Sequence, residues 1–312
     1  MTITRREFNT LVAGSAAAIA LASRESVAAA VANIMPPGAI DTHNHVMGPQ
    51  AKYPYSPNRP YTPPEANVDD LKRLRAQIGV ARNVIVTPTP YSFDNRSTVD
   101  AVVELASTAR GVVLLPPDVP EAELARLEAA GIRGARLNTQ NPALKETLTA
   151  WAPRFKAINW HVQIVGQLPI IVSLAPQIAT LGHPVVIDHF GGARGEDGVE
   201  NKDFQAFLEL VRTGAVYVKL SAPYDRTREP GYANMTPFAR ALIAARADRM
   251  LWGTNWPHPL PQQGVPITQI SPYQNVDNMM LVTRLAEWCP DAATRKMILV
   301  DTPERLYRFP KA

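Results

Sequence analysis

Cysteine is nearly absent from this chain. Cys289 is the one thiol in 312 residues, so neither an intramolecular disulfide nor a cysteine-based zinc site can form. Its setting, Leu285-Ala286-Glu287-Trp288-Cys289-Pro290, reads as a helix end and assigns it to packing. An excess of one charge is also missing. The 32 basic and 28 acidic residues leave a formal charge of +4, and no Lys/Arg run is dense enough to serve nucleic acid. No glycine-rich phosphate loop follows an early strand, which argues against a doubly wound open sheet. No Gly-Pro-Ser linker divides the chain. Histidine is rare too, limited to His43, His45, His161, His183, His189 and His258. What remains is a globular composition, 46% hydrophobic and 19% charged.

Thr4-Arg5-Arg6-Glu7-Phe8 precedes an alanine-rich apolar stretch from Leu11 to Ala22, followed by Val27-Ala28-Ala29-Ala30. A charged start, a modest apolar core and small residues make residues 1–30 a twin-arginine signal peptide, with export to the periplasm expected. The apolar core is shorter than the roughly 20 residues of a membrane span, and no membrane partner is expected.

Residues 31–312 then alternate short apolar runs with amphipathic ones. Strands are predicted at Ala39–His45, Val84–Thr87, Val112–Leu115, Gly134–Asn138, His161–Val165, Val185–Asp188, Val216–Leu220 and Met250–Gly253. Helical text lies between them, including 100–110 and 171–181. Eight strand–helix units predict an α/β fold, a single (β/α)₈ TIM barrel. The strands are apolar on both faces, as a parallel sheet covered by helices requires. The segment Tyr53–Pro64 is too rich in proline for helix or central strand. It is an ordered loop at the barrel mouth, either one wall of a pocket or a surface wrap.

In such a barrel, functional groups sit at the C-terminal ends of strands. His43 and His45 end the first strand, two apart and so on one face. Two converging imidazoles can hold a metal or polarise a carbonyl. Tyr91 and Asn95 follow the second strand, Arg136 ends the fourth, and His189 ends the sixth. Arg226 follows the seventh, and Asn255 and His258 follow the eighth. Asp188 is expected to point away and buttress the barrel. His161 and His183 stand before or at strand starts and belong to the opposite, stability end. Lys219 either caps the interior or takes part in the site.

The segments Gly38–Val46, Ala81–Val86, Val186–His189 and Trp252–Pro259 resemble the amidohydrolase superfamily. Within it they are similar to the branch of 2-pyrone-4,6-dicarboxylate lactonase, 4-sulfomuconolactone hydrolase and D-galactarolactone isomerase. The resemblance covers nearly all of the chain after the leader. It implies a barrel that opens the ring of a small acidic lactone, carboxylated or sulfonated, such as a muconolactone, in aromatic-compound catabolism. It places catalytic groups at His43, His45 and His189, to which the end of the eighth strand adds Asn255 and His258 as candidates, and substrate-binding groups at Arg136 and Arg226. Tyr91 and Asn95 join the latter as candidates.

The chain departs from the lactonases at three places. It has Asn255 where they carry the aspartate that activates water, Val165 where they use a tyrosine, and Gly192 where they use an arginine. An amide does not take up a proton as a carboxylate does. Two routes stay open: Zn²⁺ held by His43, His45 and His189, lowering the pKa of bound water, or no cofactor, with the histidines polarising the carbonyl and His45 or His258 as base. Other open readings are an aldarolactone isomerase and a non-catalytic exported binding barrel. A homo-oligomer is also left open.

Overall fold

The computed structural model describes residues 31–261 and 264–311. The signal peptide expected over residues 1–30 lies outside the described residues. The strands are β1 (Ile40–Asn44), β2 (Arg82–Val86), β3 (Ala109–Val113), β4 (Ile132–Asn138), β5 (His161–Val165), β6 (Val185–Ile187), β7 (Val216–Ser221) and β8 (Met250–Gly253). They form one parallel sheet in chain order. The first and last strands lie side by side. Thr42 Oγ1 donates to Trp252 O at 2.8 Å, Asn255 N to His43 O at 2.7 Å and His45 N to Trp256 O at 2.8 Å. The sheet is therefore a nearly closed barrel with helices around it, as the strand–helix alternation implied.

Local chemistry explains the boundaries. Helix α1 (Val68–Ile78) starts at Asn67, whose side chain accepts from Asp69 N and Asp70 N while Asp70 caps Asn67 N in return. It stops at Gly79, whose φ of 73° suits glycine, and it buries Leu71, Leu74 and Ile78. Helix α2 (Arg96–Leu105) ends earlier than predicted. Ala106 takes φ 51°, and Ala109-Arg110, expected to be helical, open β3 instead. The helical text over 171–181 is two helices, α3 (Leu168–Ser173) and α4 (Ala175–Leu181). Pro176 has no amide hydrogen to continue one helix through this point.

The core has two layers. Outward residues such as Val162, Ile164, Val185, Ile187, Val216 and Val218 pack under the helices. Inward residues Ile40, Val84, Val86, Val112, Val186, Tyr217 and Leu251 fill the barrel, and Leu306, Tyr307 and Phe309 of the C-terminal segment join them. His161 meets the Tyr307 ring at 5.1 Å. With that end filled by the C-terminal segment, the space for a ligand lies at the opposite end, where the strands finish.

Candidate active site

The two-residue strand period that faces Val186 into the barrel does the same for Asp188. Asp188 is wholly buried and does not point away as the sequence suggested; it is the hub of the site. Its Oδ2 accepts from Arg136 Nε at 2.8 Å and Gln163 Nε2 at 3.0 Å. Its Oδ1 faces His43 Nδ1 at 3.3 Å and Lys219 Nζ at 3.6 Å. Lys219 donates to Gln163 Oε1 at 2.7 Å and stands 3.3 Å from His43 Nδ1. Burial opposes ionisation of Asp188, but the cationic groups around it outweigh that and hold the carboxyl well below the usual range. Burial lowers Lys219 to about 8.

The imidazoles converge above this hub. The His43 ring lies 5.1 Å from that of His45 and 4.7 Å from that of His189. His189 Nδ1 meets Ser221 Oγ at 2.9 Å, while His43 Nε2 is buried with no hydrogen-bond partner. Burial first, and nearby cations second, favour neutral rings. His43 lies well below its ordinary value, and His45 drops to about 4. Burial drops His189 to about 3, although Asp188 works against it.

On the far side a second constellation runs from His45 outward. His45 Nδ1 donates to Val86 O at 2.7 Å, and its Nε2 stands 3.2 Å from Asn255 Oδ1. Asn255 Nδ2 donates to Tyr224 Oη at 3.0 Å, Tyr224 to His258 Nδ1 at 2.8 Å, and His258 Nε2 to Asn278 Oδ1 at 3.0 Å. Burial lowers His258 to about 4. The backbone is strained on this rim: His189, Ala222, Asn255 and His258 have φ of 51°, 49°, 59° and 69°. Such left-handed non-glycine residues each cost about 1 kcal/mol or more, and they cluster at functional sites.

The structure thus gathers His43, His45, His189, Asn255, His258 and Arg136, with Arg226 on the wall of the adjoining cavity. That cavity, about 490 Å³, is lined by Asn138, Gln167, Asp188, His189, Arg194 and Arg226 among others. Two expected substrate contacts belong elsewhere. Tyr91 packs on Tyr55, ring centres 4.9 Å apart, in a separate apolar cluster with Tyr53 of the proline-rich loop. Asn95 exchanges hydrogen bonds with Leu114 N and O at 3.0 and 2.8 Å, and it splices β3 to the loop after β2. Sequence reasoning missed Gln163; its inward placement follows from strand parity, not from any motif.

The metal expectation is also redrawn. The group whose donor atoms all lie within 4.8 Å of one another is His43, Asp188 and His189. His45 is not in it, because its two nitrogens face Val86 O and Asn255. His43 Nε2 and Asp188 Oδ1, neither of which has a hydrogen-bond partner, fit a divalent cation there.

The amidohydrolase family model matches residues 40–309. The chain belongs to the amidohydrolase family. Among its amidohydrolase relatives, a 2-pyrone-4,6-dicarboxylate hydrolase of Comamonas testosteroni is 35% identical, with 88% of this chain and 91% of the relative covered. A 4-sulfomuconolactone hydrolase of Hydrogenophaga intermedia is 34% identical, covering 88% and 90%. A D-galactarolactone isomerase of Agrobacterium fabrum is 30% identical, covering 88% and 92%.

Proposed function

We propose that this amidohydrolase is a lactonase, a carboxylic-ester hydrolase that opens the ring of a carboxylated or sulfonated lactone such as a muconolactone in aromatic-compound catabolism. The observation that carries the reading is the buried His43–His45–His189 cluster on the Asp188 hub, beside a cavity walled by Arg226. The names of the similar hydrolases support it.

The residues divide the work. In the metal-free site, with Lys219 rather than the ring as donor at His43 Nδ1, the ring proton is on Nε2. That unpartnered N–H is a donor for the ester carbonyl oxygen as the tetrahedral oxyanion forms. His45 is the base. Its Nδ1–H is committed to Val86 O, so in the neutral ring Nε2 is a lone pair. A water proton taken there converts the contact with Asn255 Oδ1 from two facing lone pairs into a hydrogen bond. Asn255 therefore stabilises the protonated ring without being the base itself. Water adds to the carbonyl carbon, the ring C–O bond breaks, and His45 returns the proton to the departing ring oxygen, leaving a carboxylic acid that ionises. Zinc, if held by His43, Asp188 and His189, would supply Lewis-acid polarisation of the carbonyl. Arg136 and Arg226 suit the substrate's anionic groups, since guanidinium binds carboxylate and sulfonate in bidentate fashion.

The test is a panel of carboxylated and sulfonated lactones followed by NMR. Ring opening with release of acid is expected. Inertness of both the parent and Asn255→Asp would sink the lactonase reading. One observation favours a second reading, an aldarolactone isomerase: Asn255 gives water no carboxylate, so the substrate's own hydroxyl replaces water. Ring migration in the same spectra would establish it. We further propose export to the periplasm on the twin-arginine leader; a reporter fusion that stays cytoplasmic when Arg5 and Arg6 are both changed to Lys checks this.

A further inference from the structure

Lys219 is wholly buried, on the parity of β7 that also turns Tyr217 into the barrel. Gln163 holds it there. Lys219 Nζ donates to Gln163 Oε1 at 2.7 Å, and Gln163 Nε2 donates to Asp188 Oδ2 at 3.0 Å. Reversing the amide would set its N–H groups against the ammonium and its oxygen against the carboxylate, so both neighbours fix its orientation. The ammonium then stands 3.3 Å from His43 Nδ1 and 3.6 Å from Asp188 Oδ1. Those two residues belong, with His189, to the group whose donor atoms could hold a divalent ion.

Two effects of the ammonium oppose such an ion. The first is the tautomer of His43. Its Nδ1 lies 3.3 Å from Lys219 Nζ and 3.3 Å from Asp188 Oδ1. With hydrogen on Nδ1 and directed at the carboxylate, Nε2 would carry a free lone pair, the arrangement that metal-binding imidazoles use. With the ammonium donating to Nδ1, the hydrogen is on Nε2, and that nitrogen is no longer a ligand. The second effect is charge. Arg136 and Lys219 both face Asp188, and both act on His189 together with Arg226. Asp41 also acts on Lys219, but its oxygens already accept from His43 N at 3.1 Å and from Thr254 N and Oγ1 at 3.0 and 2.6 Å. A dication would add two positive charges beside two buried cations, where like charges are poorly screened.

We propose that Lys219 is the resident cation of the His43–Asp188–His189 group and holds its affinity for divalent ions low. The three donors fit an ion; the lysine beside them takes one donor by setting its tautomer and discourages the ion by its charge. This goes beyond the lactonase reading and does not depend on it, since it is decided by metal binding alone.

The test is calorimetric titration with Zn²⁺ of the parent, Lys219→Met and Lys219→Arg, with bound metal counted by atomic emission after dialysis. Lys219→Met is expected to bind Zn²⁺ about 100-fold more tightly than the parent, the size of effect that follows when a like charge leaves a buried site. Lys219→Arg keeps the charge and gains far less. The gain disappears in the double variant Lys219→Met/His189→Ala, which removes a donor. Equal affinity in the parent and Lys219→Met, an equal gain in Lys219→Arg, or a gain that survives the loss of His189 overturns the proposal. If Lys219→Met does not fold, the tautomer decides. Long-range proton–nitrogen NMR spectra of the parent, labelled with nitrogen-15 in histidine, should show His43 protonated at Nε2, and protonation at Nδ1 overturns the proposal.

Discussion

The two banks of the barrel mouth are built from different chemistry. On one bank Asp188 is wrapped by Arg136, Lys219, Gln163 and His43, all buried. On the other, His45, Asn255, Tyr224, His258 and Asn278 hand hydrogen bonds along a neutral chain. The ionic bank has one arrangement, because Asp188 cannot be satisfied otherwise. The neutral bank contains two amides, a hydroxyl and two imidazoles, each able to donate or accept. A fixed field suits the group that stabilises an oxyanion. A chain of groups with adjustable polarity suits the group that takes and returns a proton.

The comparison breaks most severely at its hub. Asp188→Asn leaves Arg136 and Lys219 buried without their anion. A loss of about 3–5 kcal/mol is expected, as for buried pairs broken from one side, with turnover falling at least ~10³-fold as the His43 field collapses. Urea unfolding and steady-state kinetics measure the two. Full stability in Asp188→Asn would mean the ionic bank is not held as described. The next effect comes from making the neutral bank ionic. Asn255→Asp puts an anion 3.2 Å from His45 Nε2 and should raise that ring from about 4 by about 1–3 units. A base is lost when protonated, so the acid limb of kcat/KM moves upward in pH by the same amount. An unmoved limb removes His45 as the base.

Much of this was legible in the sequence. The eight apolar runs with amphipathic text between them fixed the barrel, and the strand-end rule then collected His43, His45, His189, Asn255 and His258 from segments over 200 residues apart. Three things were not legible, each for a physical reason. The orientation of Asp188 depends on which parity of β6 faces in, and an apolar strand covered on both sides hides parity. Tyr224 enters through a loop where Ala222 has φ 49°, a turn that no local residue preference announces. Tyr91 and Asn95 are strand-end residues by position, but the proline-rich loop folds its own tyrosines against Tyr91, and Asn95 is spent on the Leu114 backbone.

Within the neutral bank, Tyr224→Phe removes one hydroxyl and leaves His258 Nδ1 and Asn255 Nδ2 without their partner. A cost of about 1–3 kcal/mol is expected for these newly unsatisfied groups. A kcat loss of about 10-fold with little change in KM should accompany it, because the chain orients Asn255 and holds no substrate. A KM effect larger than the kcat effect would instead place Tyr224 against the substrate.

The smallest effect per residue is on stability against pH, and it separates the mouth from the filled end. Burial holds His258 and His45 near 4, and His189 and His161 near 3. Each stays neutral when folded and protonates below about 6.5 when unfolded. The unfolded state therefore binds more protons between the folded value and 6.5, and stability falls on acidification through that window. Each histidine contributes up to about 1.4 kcal/mol per pH unit. Asp41, pushed up to about 6 by burial, acts with the opposite sign between 3.8 and 6 and offsets about one histidine. Stability should decline below 6.5, and Lys219, lowered to about 8 by burial, should make it rise with pH above about 8. His161→Phe, at the end of the barrel filled by Tyr307, should reduce the slope by about one histidine, roughly 1.4 kcal/mol per unit, while leaving the kcat/KM profile in place. An unchanged slope would mean that His161 takes up its proton in the folded state, and an altered kcat/KM profile would mean that the two ends of the barrel are coupled.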